Sequence, residues 1–129
     1  MVNYIIDTYA WIEYFNGSSK GEKLRKLLSN KNNKFVTIEC SLAELKGNCS
    51  KNNLDFKKMY AIIKQNSFIF PVLLEHWIAA AEIKSEMRKR YKDFGIMDSL
   101  LIAKQKEINC TIISGDKHFK ELKDVLYLS

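Results

Sequence analysis

Residues 2–15 read VNYIIDTYAWIEYF, and their order decides the fold. Tyr4, Ile5 and Ile6 end a short apolar run rich in β-branched residues, the composition of a strand. Asp7 follows at once. Beyond it Trp11, Ile12, Tyr14 and Phe15 recur at the spacing of a helix beginning near Thr8. A strand that passes directly into a helix is the first half of a β-α-β crossover, and Asp7 stands at the strand's carboxyl end.

The same alternation continues outward. Strands are expected at residues 2–6, 35–38, 68–73, 111–114 and 125–128. Helices are expected from residue 8, over 19–29, from residue 41, and over 56–65, 75–91, 98–107 and 117–122. Ser19 and Glu22 have the spacing of a capping box for the second of these. Strands alternating with helices predict a three-layer α/β sandwich around a parallel sheet of about five strands, with right-handed crossovers. Ligands of such sheets bind beyond the carboxyl ends of the strands, near a switch in strand order.

Composition narrows the class. A chain of 129 residues, 47% of them apolar, fits one domain over residues 1–129 and excludes disorder. No run approaches the roughly 20 apolar residues of a membrane span, and no signal-peptide pattern opens the chain. The three cysteines, Cys40, Cys49 and Cys110, are odd in number and lack CxxC spacing, which argues against structural zinc and a disulfide scaffold. Reduced thiols and a cytoplasmic location are expected. The net charge of +6 fits a polyanionic partner and equally fits lysine-rich solvated helix faces.

Four acids land on one rim if the sheet is parallel. Asp7 and Asp116 each end a strand, Asp116 with Gly115 between; Glu44 falls in the first turn of the helix after residues 35–38; Asp98 opens the apolar helix after Gly95. Each has a structural reading as well: Asp7 and Asp98 as helix caps, Glu44 as the partner of Ser41 in a capping box, Asp116 as a turn residue. Caps and metal ligands are compatible roles, and the joint spacing favours the second. Like charges gathered together need compensation, from helix N-termini and from a cation. Carboxylates without a cysteine or histidine set suit magnesium or manganese, which activate water and stabilise charge on a phosphodiester.

Competing chemistries lack their residues. An aspartyl-phosphate phosphatase needs an aspartate two positions after Asp7, where Tyr9 stands, and no glycine-rich loop ends in lysine and a hydroxyl residue. His76 begins a helix. His118, two residues after Asp116, is near enough in sequence to reach substrate, but a surface histidine is the expectation. Residues 84–92, KSEMRKRYK, carry Lys84, Arg88, Lys89, Arg90 and Lys92 in a segment leading toward Asp98. They read as a ridge for a nucleic-acid backbone or as a solvated helix face. Tyr91 and Phe94 are candidates for base stacking, with core packing the better reading of Phe94.

These motifs, taken together, resemble the PIN domain family, in particular the VapC-like toxins of toxin–antitoxin systems. The resemblance lies in IIDTYAWIEYF (residues 5–15), CSLAELKGN (40–48), GIMDSLLIAKQKE (95–107) and TIISGDKHFKEL (111–122), in family order and over nearly the whole chain. Asp7, Glu44, Asp98 and Asp116 match the family's acids, and Phe119 its usual aromatic. The resemblance implies strand order 3-2-1-4-5, with Asp7 and Asp116 flanking the switch point. It implies hydrolysis of RNA by a metal-dependent endoribonuclease using one or two divalent ions, with Thr8 and Ser114 as hydroxyls beside the acids, on the substrate side. Ser114 replaces the family's frequent threonine and Ser99 a frequent alanine. Glu39, on the strand before the second motif, either adds a fifth carboxylate or points away; the second is expected. A cognate antitoxin held by early helices and a homodimer are implied as partners, with Trp11, Tyr14 and Phe15 as candidate groove residues or plain core. A housekeeping RNA-processing nuclease and a non-catalytic RNA- or protein-binding module are the alternatives; the second is disfavoured because all the acids are present.

Overall fold

The computed structural model describes residues 2–129. Its centre is a five-stranded sheet in the order β3-β2-β1-β4-β5. The strands are β1 (Tyr4–Ile6), β2 (Phe35–Ile38), β3 (Phe68–Phe70), β4 (Thr111–Ser114) and β5 (Val125–Tyr127), and each neighbouring pair is parallel. The helices are α1 (Thr8–Asn16), α2 (Ser19–Ser29), α3 (Glu39–Asn52), α4 (Phe56–Asn66), α5 (Leu74–Met87) and α6 (Ile96–Ile108). A 3-10 turn covers Lys117–Phe119. The fold is the α/β sandwich expected, with the strand order that the resemblance implies.

Strand alternation sorts the side chains into two cores. Ile5, Val36, Ile38 and Ile112 face α5 and α6, packing with Ala80, Leu100, Leu101, Phe94 and Phe119. Ile6, Phe35 and Ile113 face the opposite way, onto Trp11, Leu24, Leu45 and Ile63 from α1 to α4. Phe94 and Phe119 are fully buried, so neither is free to stack a base. Trp11 is also fully buried and donates from Nε1 to Thr37 Oγ1 at 3.0 Å. The chain continues through Ser67 Oγ, 2.8 Å from Thr37, to the Ile63 carbonyl. Each buried polar group in this run finds a partner, as low-dielectric surroundings require. Tyr14 and Phe15 pack against the same core, which explains the aromatic group on α1 without a partner.

Several boundaries differ from the sequence expectation, each for a local reason. Ser18, not Ser19, caps α2, its Oγ accepting from Gly21 N–H at 3.0 Å; Glu22 pairs with Arg25 instead of closing a box. β1 begins at Tyr4 rather than residue 2, and β5 ends at Tyr127. β3 stops at Phe70 because Pro71 has no N–H to extend the ladder. α3 begins at Glu39, not Ser41, so Glu39 is helical; its carboxylate accepts from Val72 N–H at 2.6 Å and anchors the strand-to-helix link. α6 begins at Ile96 with Gly95 as cap, which puts Asp98 inside the first turn. The expected helix over 117–122 shortens to the 3-10 turn. α5 ends at Met87 rather than near Tyr91. Arg88 Nε there donates to the Phe94 carbonyl at 2.9 Å, turning the chain toward α6.

α1 and α2 approach closely at Gly21, where an added Cβ would sit 2.1 Å from the Glu13 carbonyl oxygen. Gly47, exposed on α3, has nothing within 4 Å of that position. Gly21→Ala is therefore expected to destabilise the protein by about 2 kcal/mol or more through backbone overpacking. Gly47→Ala is expected to stabilise it by about 0.5–1 kcal/mol through helix propensity. Urea unfolding of the two variants checks the opposite signs.

Candidate active site

β1 and β4 lie side by side, with Ile6 in register with Ile113, at the point where the chain order reverses. The residues that leave these strands share one rim. Asp7 N–H donates to the Ile113 carbonyl at 3.2 Å, so Asp7 extends the ladder before its side chain turns to cap α1. Its Oδ1 accepts from Ala10 N–H at 2.8 Å. On the β4 side, Asp116 N–H donates to Ser114 Oγ at 3.0 Å, and Asp116 Oδ1 accepts from His118 N–H at 2.9 Å. Gly115 between them makes room for Tyr9: a Cβ there would sit 2.5 Å from its ring, which would have to shift.

Asp7, Glu44, Asp98 and Asp116 line one cleft of about 200 Å³, together with Thr8, Tyr9, Ile12 and Leu101. Glu44 comes from the second turn of α3 rather than the first, because that helix starts two residues earlier than expected. Thr8 Oγ1 donates to Glu44 Oε1 at 2.7 Å and fixes the carboxylate from the α1 side. Thr8 thus acts on an acid of the cleft as well as lining it.

Burial and neighbouring acids both bear on the carboxyls of the cleft. Burial pushes the Asp7 carboxyl up to about 7; the Ser114 hydroxyl and Ala10 N–H pull it down, and Asp116 and Asp98 push it further up. Asp98 is pushed up to about 6, chiefly by burial and then by Asp116, with His118 opposing. Three of the four acids stand at helix N-termini: Asp7 capping α1, Asp98 in the first turn of α6, Asp116 capping the 3-10 turn. The helix dipoles favour the charged forms, and burial, the largest cause of both shifts, with the neighbouring acids behind it, outweighs them at Asp7 and Asp98. The donor set fits a hard divalent cation: the carboxylates of four acids line one cleft.

Other expectations are redirected. Ser114 is fully buried, and its hydroxyl serves the Asp7 carboxylate rather than facing a substrate. Arg88 is held by the Phe94 carbonyl, Lys89 pairs with Glu86 at 3.2 Å, and Arg90 lies over the Tyr91 ring. Of the three, Arg88 has a structural task that explains it. His118 is not a surface histidine: its side chain is 14% exposed and packs edge-on to Tyr91 and Phe94. Its Nδ1 lies 3.2 Å from Asp116 Oδ1 and 3.5 Å from Asp98 Oδ2, and Nε2 lies 2.9 Å from Asp93 Oδ1. The sequence signal for it was Phe119: burying that ring in a 3-10 turn draws His118 inward beside Asp116.

A parallel sheet with acids gathered at its switch point defines a nuclease-like α/β domain. A family model described as PIN domain matches residues 4–125, and the chain belongs to the PIN domain family, a family of nucleases. Solved structures agree in fold. DNA-bound VapBC from Salmonella typhimurium aligns with TM-score 0.73 at 14% identity, covering 100% of both chains. VapBC2 from Rickettsia felis, bound to a promoter DNA fragment, aligns with TM-score 0.72 at 19% identity over 98% of this chain and 97% of that one. Mycobacterium tuberculosis VapC20, a sarcin–ricin loop cleaving toxin, aligns with TM-score 0.69 at 15% identity over 84% and 85%. No curated protein matches the sequence.

The raised Asp7 value gives a pH signature in metal-free protein. Between about pH 4 and 7 the folded state holds a proton on Asp7 that the unfolded chain has released, so stability falls as pH rises through that window. The slope reaches roughly 1.4 kcal/mol per pH unit for one proton. Asp98 adds to it up to about pH 6. Asp7→Asn keeps an N-cap and removes the buried charge, so it is expected to flatten the slope and to be more stable than wild type at pH 8. Denaturant unfolding in EDTA at pH 5 and pH 8 measures both effects.

Proposed function

We propose that the protein is a magnesium- or manganese-dependent endoribonuclease that hydrolyses RNA phosphodiester bonds as the toxin of a toxin–antitoxin pair. The observation that carries this reading is the convergence of Asp7, Glu44, Asp98 and Asp116 on one cleft at the β1–β4 switch point. Membership of the PIN family and the fold shared with VapBC toxins support it. Asp7, Glu44, Asp98 and Asp116 would hold a divalent cation, which when bound would activate a water and stabilise charge on the phosphate. The chain's own residues prepare that site. Ser114 and Ala10 N–H orient Asp7, Thr8 orients Glu44, and the turn after Gly115 holds Asp116. Ile12 and Leu101 give the cleft apolar walls, which strengthen the electrostatics inside it.

The same reading covers partners and location. Residues 1–129 act as one nuclease unit, with a cognate antitoxin and a second copy of the chain as its protein partners. Leu74, Trp77 and Ile78 leave apolar surface exposed along α5, of the kind that protein partners cover. A cytoplasmic site of action fits three free, buried cysteines, and no described helix is long and apolar enough to cross a membrane. Lys89 and Arg90, exposed in the turn before α6, are the candidates for RNA phosphate contacts.

RNA cleavage is expected to stop with EDTA and to return with magnesium or manganese. Asp7→Asn and Asp116→Asn are expected to lower the rate by at least a hundredfold while the fold persists, as thermal unfolding would show. Wild-type cleavage by Asp7→Asn would refute the site. Replacing Lys89 and Arg90 by alanine is expected to weaken RNA binding and to reduce its salt slope by up to about one unit per lost phosphate contact. An unchanged salt slope would remove these two residues from the RNA surface.

A further inference from the structure

We propose that His118 is a ligand of the cation at this site, through Nδ1, and that with Asp98 and Asp116 it forms a mixed nitrogen–oxygen subsite that favours manganese over magnesium. The inference rests on reading the cleft as a divalent-cation site and names a ligand that the four acids do not include.

The geometry around the ring is specific. Nδ1 is buried and makes no hydrogen bond. It nevertheless lies 3.2 Å from Asp116 Oδ1 and 3.5 Å from Asp98 Oδ2. Ligand atoms of these three residues all fall within 4.8 Å of one another. Adjacent ligands of a six-coordinate ion with bonds of about 2.1 Å stand about 3.0 Å apart, so these separations are close to those of donors around one ion. An imidazolium donating to either carboxylate would satisfy Nδ1 directly, and the ring is not placed for that.

The far side of the ring completes the arrangement. Nε2 is 2.9 Å from Asp93 Oδ1, a carboxylate that accepts the Nε2 proton. With the proton on Nε2, Nδ1 carries none and lies 3.2 Å from Asp116 Oδ1 and 3.5 Å from Asp98 Oδ2, free to ligate an ion held between them. A histidine that ligates a metal through one nitrogen characteristically donates from the other to a carboxylate. Tyr91 and Phe94 hold the ring plane from its edges. Imidazole nitrogen is a poor ligand for magnesium, which demands oxygen, and a better one for a transition ion.

The chain's second histidine lacks these features. His76 also sits within reach of two acids, Glu75 and Glu107. Its Nδ1 already accepts from Leu73 N–H at 2.9 Å, and Lys104 Nζ supplies the cation, 2.8 Å from Glu107 Oε1. That cluster is an ion-paired joint between α5 and α6.

Pulsed electron paramagnetic resonance of the manganese-loaded protein tests the proposal directly. Wild type is expected to show nitrogen-14 modulation from a bound imidazole, changing to the nitrogen-15 pattern when histidine alone is labelled. His118→Gln is expected to lose the modulation and at least about tenfold in manganese affinity by calorimetry, with magnesium affinity changed by less than about threefold. Asp93→Ala, which leaves the ring in place, is expected to lower manganese affinity severalfold. Manganese bound by wild type without histidine modulation would overturn the role of His118; loss of binding in Asp116→Asn would then leave the four-acid site standing. Wild type that binds no manganese at all would overturn both. Should His118→Gln fail to fold, the isotope comparison on wild type decides alone.

Discussion

The parallel pairing of β1 with β4 is the constraint on which the rest depends. It sets Ile6 beside Ile113 and carries Asp7 and Asp116 out of neighbouring strands on the same rim. Two buried, apolar strands can be specified by hydrophobicity alone; two acids at their ends cannot be neutral passengers. Their repulsion works against the pairing that the strands favour, and the fold meets it with helix N-termini, with Ser114 and with the Ala10 N–H. Burial, more than that repulsion, then raises the Asp7 and Asp98 carboxyls. A site of this kind is a local conflict with folding that only its use explains.

The main features were legible because they rest on short-range patterns. Five apolar runs separated by helical periodicities gave the strands to within a few residues, and the positions just after Ile6 and Ser114 gave two acids on one rim. Strand order was not legible from periodicity, since three-residue strands carry no register information; it came from the resemblance alone. Errors gathered at element ends, where side-chain bonds decide. Ser18 took the cap from Ser19, Pro71 ended β3, and Arg88 bent the chain after α5.

Site roles were less legible than site positions. Ser114 and Thr8 look alike in sequence, as hydroxyls adjoining acids, yet one is fully buried against Asp7 and the other spans to Glu44 across the mouth. Nothing local separates them, because burial depends on what α1 and β5 lay over each rim. His118 is the same lesson reversed. A polar residue in a turn reads as surface, but burial of Phe119 beside it and the covering Tyr91 and Phe94 rings turn it inward.

The acids also divide by environment, and that division bears on the proposed chemistry. Asp7 is buried and its proton is retained to about pH 7, whereas Glu44 is exposed and held by a single hydroxyl. A neutral Asp7 still caps α1 through its carbonyl oxygen, so the fold does not require its charge. A cation does, because only the carboxylate is a strong ligand. A cation bound there near neutral pH would therefore be expected to displace a proton from Asp7. Burial that keeps Asp7 neutral to about pH 7 and burial that would couple its proton to a cation are one and the same position, which is why the proposed chemistry and the pH dependence of folding meet at this residue.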